Sequence, residues 1–469
     1  MKFEAPLEYF LLTGLALTLA AGRVPAAEAA PAPPATPAAP PSGCAELGEP
    51  RQVSLAKTGG PFAQKPIASY DAYALRGRRI WIHIRATNTS AEPASISPIL
   101  RFDPKPDGSV SFGQGQWALN LAPGASDERV LRAYALPNVR VVEATISSAA
   151  AIPGLDLAVT LRCSEQVYAP GAPSAREALV QEAADLYFSR ALHAPENSQE
   201  ARQTLALRAT GAEDSQDVAD AVTAMMNSVG DWHSYFFPRA ELPIFYGNLA
   251  PQPPQAEWLD GGIALLALKA AAFPDRDGLL AYARAIRAAI APLASRHPVG
   301  WILDLRDFGG GDMWSVLAGA SSLVGVGEVG AFSTRTGRER WIVSPGRSAV
   351  DGVSLADIGA ADEPAAFEGP LAVLQGPATA SSGETVAVAF HGRPRTRFFG
   401  APTSGITNTG VRQHILSDGS MFGISEVENV DRVGHLYSGA LTPDEATEPG
   451  DAGRQAARAW IQSRDGPGL

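Results

Sequence analysis

The sequence predicts a multidomain α+β protein with three parts: a small N-terminal β-sandwich, a helical segment and a C-terminal α/β core. The chain has 469 residues, which is too long for one ordinary hydrophobic core. Apolar and polar residues alternate in parts of the first third of the chain, as in half-buried strands, and helical periodicity follows them. From Gly261 onward, apolar strand runs alternate with helical patterns, which favours an α/β core.

The composition is that of a folded protein, and the charge argues against two classes of partner. Hydrophobic residues make up 45% of the chain and charged residues 19%. Because the formal net charge is -11 at pH 7, we expect neither nucleic acid nor an anionic membrane surface as the main partner. The sequence has no His-x-x-x-His, His-Glu-x-x-His or Cys-x-x-Cys pattern, so no metal site and no cofactor is predicted.

The first residues have the features of an export signal. An apolar run from Phe10 to Ala21 is too short for a comfortable membrane span, and small residues follow it. We therefore predict a signal peptide over residues 1–29 and an exported protein, periplasmic or secreted, with no membrane span once the signal is removed. Residues 30–43 are rich in Ala and Pro and are predicted to be a spacer.

Residues 44–165 are predicted to form the small antiparallel β-sandwich. Apolar and polar residues alternate in Arg79–Arg85 and, less strictly, in Val139–Ile146. The two cysteines of the chain, Cys44 and Cys163, bracket this segment. In an oxidising compartment we expect them to form a disulfide, and the alternative is two unrelated buried thiols.

Residues 170–260 are predicted to be mainly helical. A helix is expected from Val218 to about Asn227, and it ends at Gly230. Among the seven histidines of the chain, His233 stands out because it follows this helix end and lies among aromatic residues in a turn-like segment. It is therefore the histidine we consider as a candidate base.

Residues 261–463 are predicted to form the α/β core. A helix with apolar positions from Leu279 to Ile290 is expected to be brought to an end by Pro292 and Pro298. The predicted strands are Ile263–Leu268, Gly300–Arg306, Leu371–Leu374, Thr396–Phe399, Arg412–Leu416 and Met421–Ser425.

A glycine-rich turn follows the strand that begins at Gly300. It contains Gly309, Gly310 and Gly311, and glycines allow backbone amides to approach a ligand closely and to adopt positive φ. Such a turn suits the binding of an oxyanion. The alternative is a tight connection that binds nothing. A phosphate loop is not indicated, because no Gly-Lys-Ser/Thr follows.

Ser381 and Ser382 lie where a predicted strand meets the start of a helix. A serine there is at the positive end of the helix dipole and close to free backbone amides. This location suits a nucleophile whose attack generates an oxyanion, but it equally suits a helix N-cap. A serine hydroxyl is a poor nucleophile unless a base removes its proton.

In their order along the chain, these segments resemble the S41 family of serine peptidases, the C-terminal-processing or tail-specific type. The resemblance covers about Gly230 to Trp460 and implies a ClpP/crotonase-like fold for the core. In the family the nucleophilic serine lies three residues before a glutamate, which selects Ser381 over Ser382. The matching segments are Gly261–Leu266, Asp304–Gly311, Thr379–Glu384, Gly400–Gly405 and Leu436–Asp444.

The family has two branches that differ in their base. One branch uses a lysine after a Thr-Phe-Gly turn, and this sequence has Ile406 at that position. The other branch, with tricorn-like and retinoid-binding-protein-like members, uses a histidine in an Asp-x-His segment, which Asp231-Trp232-His233 matches. The resemblance therefore implies that His233 is the base. It also implies that no PDZ domain is present, because the interval from His233 to Ile263 is too short for one.

The resemblance implies further site residues and includes two departures. The amides of Gly310 or Gly311 and of Ser382 are expected to hold the oxyanion. Phe308 stands where the family often has Asn, and Ser438 stands where the family has the glutamate that orients the histidine. A hydroxyl accepts a hydrogen bond from imidazole but does not stabilise imidazolium as a carboxylate does. The alternatives for this role are Asp431, Glu428 and Asp231.

The predicted function is that of an exported serine endopeptidase, which hydrolyses peptide bonds through an acyl-enzyme on Ser381 with His233 as general base. Its partner is then a peptide or protein substrate. An alternative, which Ser438 favours, is a non-catalytic S41-like protein that binds a peptide or an apolar ligand. In a third interpretation the β-sandwich binds a partner or the cell envelope, and the α/β core is its scaffold.

Overall fold

The computed structural model describes most of the chain from residue 63 onward. The described residues are 46–47, 51–55, 63–103, 112–115, 119–148, 151–192, 194, 198–231, 233–243, 246, 251–269, 271–405, 410–448 and 450–463. The predicted signal peptide, the predicted spacer and Cys44 lie outside these ranges. Within them the chain is a multidomain α+β protein, as the sequence predicted.

The N-terminal β region consists of two antiparallel sheets that share one buried core. Its strands are β1 (Glu46–Leu47), β2 (Arg51–Leu55), β3 (Ala63–Asp71), β4 (Arg79–Asn88), β5 (Ala94–Phe102), β6 (Phe112–Gly115), β7 (Leu119–Leu121), β8 (Ser126–Tyr134), β9 (Val141–Ser148) and β10 (Ile152–Cys163). One sheet has the order β1-β10-β4-β8, with β2 also on β10, and the other has the order β3-β9-β5-β6, with β7 on β5. The alternation predicted in β4 is confirmed, because Ile80, Ile82 and Ile84 are fully buried.

The end of β10 carries one of the two cysteines. Cys163 is buried, and β1 pairs with β10 so that Glu46 lies opposite Leu161. Glu46 lies two positions after Cys44, and Leu161 lies two positions before Cys163. The register of the two described strands therefore supports a disulfide with Cys44, which stays a prediction because Cys44 lies outside the described residues.

Three helices follow the N-terminal β region. They are α1 (Glu177–Arg190), α2 (Gln199–Arg208) and α3 (Ser215–Ser228). The predicted start of α3 at Val218 was three residues too late. Asp214 caps the helix, since its side chain accepts the N–H of Asp217 at 2.9 Å, and capping extends the helix toward its N-terminus.

A group of charged side chains joins α3 to the N-terminal β region. We call it the interface charge cluster, and it consists of Arg79, Arg132, Asp214, Asp217 and Asp220. Arg79 Nη2 lies 2.6 Å from Asp217 Oδ1, and both side chains are almost fully buried. Arg132 Nη1 lies 2.7 Å from Asp214 Oδ2. Asp220 is 5% exposed, and its Oδ2 has no hydrogen-bond partner within the part of the chain that the structure describes.

The remaining strands form two further sheets. They are β11 (Tyr235–Phe237), β12 (Gln255–Leu259), β13 (Ile263–Ala267), β14 (Gly300–Asp304), β15 (Gly327–Thr334), β16 (Gly337–Ser344), β17 (Arg347–Val350), β18 (Val353–Asp357), β19 (Leu371–Gln375), β20 (Thr396–Gly400), β21 (Gly410–Ile415), β22 (Met421–Asp431), β23 (Leu436–Tyr437) and β24 (Glu445–Ala446). One sheet has the order β12-β13-β14-β19-β20-β24 and is parallel from β13 to β24. The other has the order β11-β22-β15-β16-β17-β18, with β21 and β23 also on β22.

Helices cover both faces of the parallel sheet. These helices are α4 (Arg276–Ala294), α5 (Trp314–Gly319), α6 (Ser321–Val324), α7 (Ser382–Phe390) and α8 (Ala452–Gln462). Leu303 and Val373 pack in one cluster with residues of α4, α5 and α7, whereas Ile302 and Leu374 pack with α8. Helix α4 ends at Ala294, between Pro292 and Pro298, the two prolines predicted to end it. No described helix has both the length and the apolar character needed to cross a membrane.

Candidate active site

Ser381 occupies a sharp turn between β19 and α7. Its backbone has φ 52° and ψ -121°, a combination that a residue with a Cβ rarely adopts and that glycine adopts easily. Such strain persists only where surrounding contacts hold it, and it is concentrated at functional sites.

Glu384 supplies those contacts. Its side chain is fully buried, and its Oε2 accepts the backbone N–H of Ser381 at 3.0 Å. Its Oε1 accepts the hydroxyl of Thr403 at 2.5 Å and the backbone N–H of Gly405 at 2.8 Å. The sequence showed Glu384 only as the marker of the family motif, and the three-residue spacing from Ser381 was the available signal for a capping interaction.

The glycine-rich turn packs directly against Ser381. A Cβ built on Gly310 would lie 3.1 Å from the Cβ of Ser381, so the two backbones are in close approach. Gly310 and Gly311 have φ 125° and 111°, which only glycine adopts without strain. The structure thus brings the two motifs together, as the order of the family motifs implied.

The backbone N–H groups at this junction divide into two sets. Five of them donate within the protein: those of Gly309, Asp312, Ala380, Ser381 and Gly383. The N–H groups of Gly310, Gly311 and Ser382 have no acceptor among the residues that the structure describes. Three unbonded donors beside one hydroxyl are the arrangement that stabilises an oxyanion.

Replacing Gly311 with alanine is expected to lower the free energy of unfolding by about 2–4 kcal/mol, which urea denaturation would measure. The new Cβ would lie 1.9 Å from the carbonyl oxygen of Ala271, a backbone atom that cannot move aside cheaply. Gly309→Ala is the matched control, because its Cβ would lie 3.6 Å from the nearest atom, in ordinary contact. Equal losses in the two variants would contradict this account of the turn.

His233 lies in a turn that Asp231 holds. The carboxylate of Asp231 accepts the backbone N–H groups of His233 at 3.2 Å and of Ser234 at 2.9 Å. It also accepts the hydroxyls of Ser234 and Tyr187. Since Asp231 is engaged by these four donors, it orients the backbone of the turn. The sequence contained this signal as an Asp two residues before the histidine.

Strand β22 connects the turn of His233 with the helix of Ser381. Ser425 of β22 donates its N–H to the hydroxyl of Ser234 at 2.9 Å, and Asn429 donates to the hydroxyl of Thr385 on α7 at 3.1 Å. Arg432 donates to the carbonyl of Ala389, so α7 and β22 run side by side in the same direction.

This parallel arrangement places both predicted catalytic residues on the N-terminal side of Asn429 along β22. Ser381 precedes Thr385 by one helical turn, about 6 Å. Ser425 precedes Asn429 by about 13 Å of strand, in the same direction. His233, next to Ser234, therefore lies near the end of α7 that carries Ser381.

The residue predicted to orient the histidine lies at the protein surface. Ser438 is exposed and makes no hydrogen bond within the described part of the chain. Of the alternatives, Asp431 is engaged elsewhere, since it accepts the hydroxyl of Tyr437 and the N–H groups of Val433 and His435. The orienting role of Ser438 stays a prediction.

Two other histidines near the core have different environments. His391 lies at the C-terminal end of α7 and stacks on Phe398 with ring centroids 3.8 Å apart, and burial lowers its pKa to about 4. His414 Nε2 lies 2.5 Å from Glu426 Oε1. No cluster of His, Cys, Asp and Glu side chains suited to a metal ion occurs in the described ranges.

Comparisons with known proteins identify the core. Residues 264–447 match the family model of peptidase family S41. The nisin-resistance protein of Lactococcus lactis subsp. lactis is 29% identical over 166 residues, which are 35% of this chain and 50% of that protein. The chain therefore aligns with about half the length of this relative.

The chain is also similar to solved structures. A lipoprotein from Streptococcus agalactiae has a TM-score of 0.54 at 21% identity, covering 64% of this chain and 99% of that chain, which shows a shared fold. A photosystem II D1 C-terminal processing protease has a TM-score of 0.42 at 16% identity, covering 62% and 98%. The match of residues 264–447 confirms the resemblance that the motifs indicated, to peptidase family S41.

Proposed function

We propose that the protein is an exported serine endopeptidase. His233 removes the proton of Ser381, whose Oγ attacks a peptide carbonyl carbon and forms a tetrahedral oxyanion. The C–N bond then breaks, His233 returns the proton to the leaving amine, and an acyl-enzyme remains. Water, deprotonated by the same histidine, attacks the acyl group and releases Ser381 and the carboxylic acid product.

The observation that carries this proposal is the set of three unbonded N–H groups beside Ser381. Gly310 or Gly311 donates to the oxyanion from one side and Ser382 from the other. The N–H of Ser381 does not take part, because Glu384 accepts it. An N-cap serine with no catalytic role needs neither a left-handed backbone nor a second segment of unbonded donors packed against it.

The role of His233 rests on its place along β22. The turn at Asp231 and the start of α7 both lie on the N-terminal side of Asn429 along that strand. Asp231 fixes the backbone of His233, and Ser438 accepts a hydrogen bond from the imidazole when substrate is bound. Because a hydroxyl leaves the imidazolium less stabilised than a carboxylate does, we expect slower hydrolysis than in a peptidase with a full triad.

The domain organisation belongs to the same proposal. Residues 44–165 form a β-sandwich closed by the Cys44–Cys163 disulfide, residues 170–260 form the helical segment with His233, and residues 261–463 form the ClpP/crotonase-like S41 core. The first 29 residues are a signal peptide and residues 30–43 a spacer. The protein is then periplasmic or secreted, its partner is a peptide or protein substrate, and no cofactor is required.

A second candidate function is the binding of a peptide or an apolar ligand without cleavage. The exposed hydroxyl of Ser438, in place of a carboxylate, favours it. The two functions differ in the reactivity of Ser381, because binding alone needs no activated hydroxyl.

A fluorophosphonate probe separates the two functions, since it reacts covalently only with an activated serine. We expect the mature protein to be labelled, with the label on the peptide that contains Ser381 in a mass-spectrometric digest. His233→Ala is expected to slow labelling by about 10²-fold or more, because general-base assistance contributes about that much.

His414→Ala is the matched control for the histidine, because His414 pairs with Glu426. Its labelling is expected to equal that of the unsubstituted protein. An unlabelled mature protein, or a label on another serine, would exclude the proposed peptidase and leave the binding function.

A further inference from the structure

We propose that the hydroxyl of Ser382 is a positioning group that holds the glycine-rich turn in its oxyanion-binding shape. The inference rests on the proposed function and extends it to a side chain with no assigned role. Ser382 Oγ donates to the carbonyl oxygen of Gly311 at 2.5 Å. The same residue thus offers its N–H on one side of the site and restrains the other side through its side chain.

The hydroxyl of Ser382 is not used as a helix cap. Ser382 is the first residue of α7, Ser381 is the N-cap, and Glu384 accepts the N–H of Ser381. The hydrogen bond of Ser382 instead crosses to a residue 71 positions earlier in the sequence. It is therefore a tertiary contact between the two halves of the site.

Two further restraints on the turn come from the backbone of Ala271. Ala271 donates its N–H to the carbonyl of Gly310 at 3.1 Å and accepts the N–H of Asp312 at 2.7 Å. In a trans peptide the C=O and the N–H point in opposite directions. Holding the carbonyl of Gly310 on Ala271 therefore turns the N–H of Gly311 away from Ala271.

The next peptide group needs a second restraint. It joins Gly311 to Asp312, and its carbonyl oxygen is the acceptor of Ser382. Gly311 has φ 111°, in a region where glycine moves freely, so its backbone supplies little stiffness. Without the hydroxyl, only the bond from the Asp312 N–H to Ala271 would hold this peptide group, and the turn would be freer to shift its N–H groups away from the position of the oxyanion.

The expected effect of Ser382→Ala is a loss of rate without a loss of probe affinity. The phosphonyl oxygen of the fluorophosphonate occupies the oxyanion position as the bond to Ser381 forms. We expect the maximal inactivation rate to fall about 10- to 100-fold, which is somewhat less than the effect of losing one N–H donor to the oxyanion. The half-saturating probe concentration should stay within about twofold of that of the unsubstituted protein.

Ser382→Thr is the conservative variant, because threonine retains an Oγ at the same position. It is expected to restore most of the inactivation rate. The midpoint of urea unfolding is the second readout, and we expect all three proteins to agree within about 1 kcal/mol, since the contact is one hydrogen bond.

Three outcomes would overturn the inference. A Ser382→Ala protein labelled at the unsubstituted rate would show that the hydroxyl does not position the turn. A parallel fall in rate and stability that threonine fails to restore would show a structural role only. An unsubstituted protein that is not labelled would remove the proposed function, and the inference with it.

Discussion

Replacing Ser381 with glycine is expected to stabilise the folded protein by about 1 kcal/mol while abolishing its reactivity. The φ of 52° and ψ of -121° at Ser381 cost a residue with a Cβ about 1–3 kcal/mol. Glycine adopts this conformation freely, but it loses about 0.5–1 kcal/mol through the greater entropy of its unfolded chain. The net gain is small and positive, whereas most substitutions to glycine are destabilising.

Ser381→Ala is the matched control for this prediction. Alanine removes the same hydroxyl and keeps the Cβ, so the strain remains. Because alanine is a poor N-cap residue, we expect Ser381→Ala to lose about 0.5–2 kcal/mol relative to the unsubstituted protein. Hydrolysis and fluorophosphonate labelling should fall by about 10⁴-fold or more in both variants, since the nucleophile is absent. Urea unfolding of the two variants side by side measures the strain.

A Ser381→Gly protein less stable than the unsubstituted protein would contradict the strain account. At an unstrained N-cap, serine is slightly preferred to glycine, and both are preferred to alanine. A gain in stability for Ser381→Gly means that the protein gives up stability to present this hydroxyl. Such an exchange between stability and activity is common at catalytic positions.

The parallel sheet could be predicted from the sequence, and the second sheet of the core mostly could not. Strands β13, β14 and β19 are nearly continuous apolar runs, as expected for strands buried on both faces. Strands β15–β18 were not predicted. They are antiparallel, and charged residues such as Arg338, Glu339 and Arg340 interrupt any regular alternation in β16.

The candidate site was predictable only as separate pieces. The sequence indicated Ser381 and the glycine-rich turn because each lies in a local motif. It did not indicate that Glu384 binds the segment from Thr403 to Gly405, because those contacts join different parts of the chain. The partner of Arg79 in the interface charge cluster is likewise far along the sequence, and no local pattern marks it.

Replacing Asp217 with asparagine is expected to lower the free energy of unfolding by about 3–5 kcal/mol. The loss arises because Arg79 would keep its charge, 1% exposed, without a carboxylate against it. Arg79 also donates to the carbonyl of Arg208, which holds its guanidinium in place and prevents escape to solvent. Urea denaturation at neutral pH measures the change.

Asp220→Asn is the matched control, and its effect should have the opposite sign or be near zero. The interface charge cluster has three carboxylates and only two guanidinium groups. Asp220 is buried with one oxygen unpartnered in the described part of the chain, and burial raises its pKa well above the ordinary value of 3.8. The raised pKa favours the protonated form of Asp220 in the folded protein, and asparagine has nearly the same shape as a protonated aspartic acid.

The raised pKa of Asp220 also predicts how stability depends on pH. The pKa of Asp220 is higher in the folded protein than in the unfolded chain, so Asp220 contributes to the free energy of unfolding at low pH. This contribution is fully present below the pKa of Asp220 in the unfolded chain and is lost as the pH rises from there through its pKa in the folded protein. The unsubstituted protein should lose stability over this range, and Asp220→Asn should lose less. If Asp217→Asn were as mild as Asp220→Asn, or if both proteins had the same pH profile, the two acids would be equivalent. Asp217, paired with Arg79, and Asp220, with its raised pKa, would then not differ as predicted.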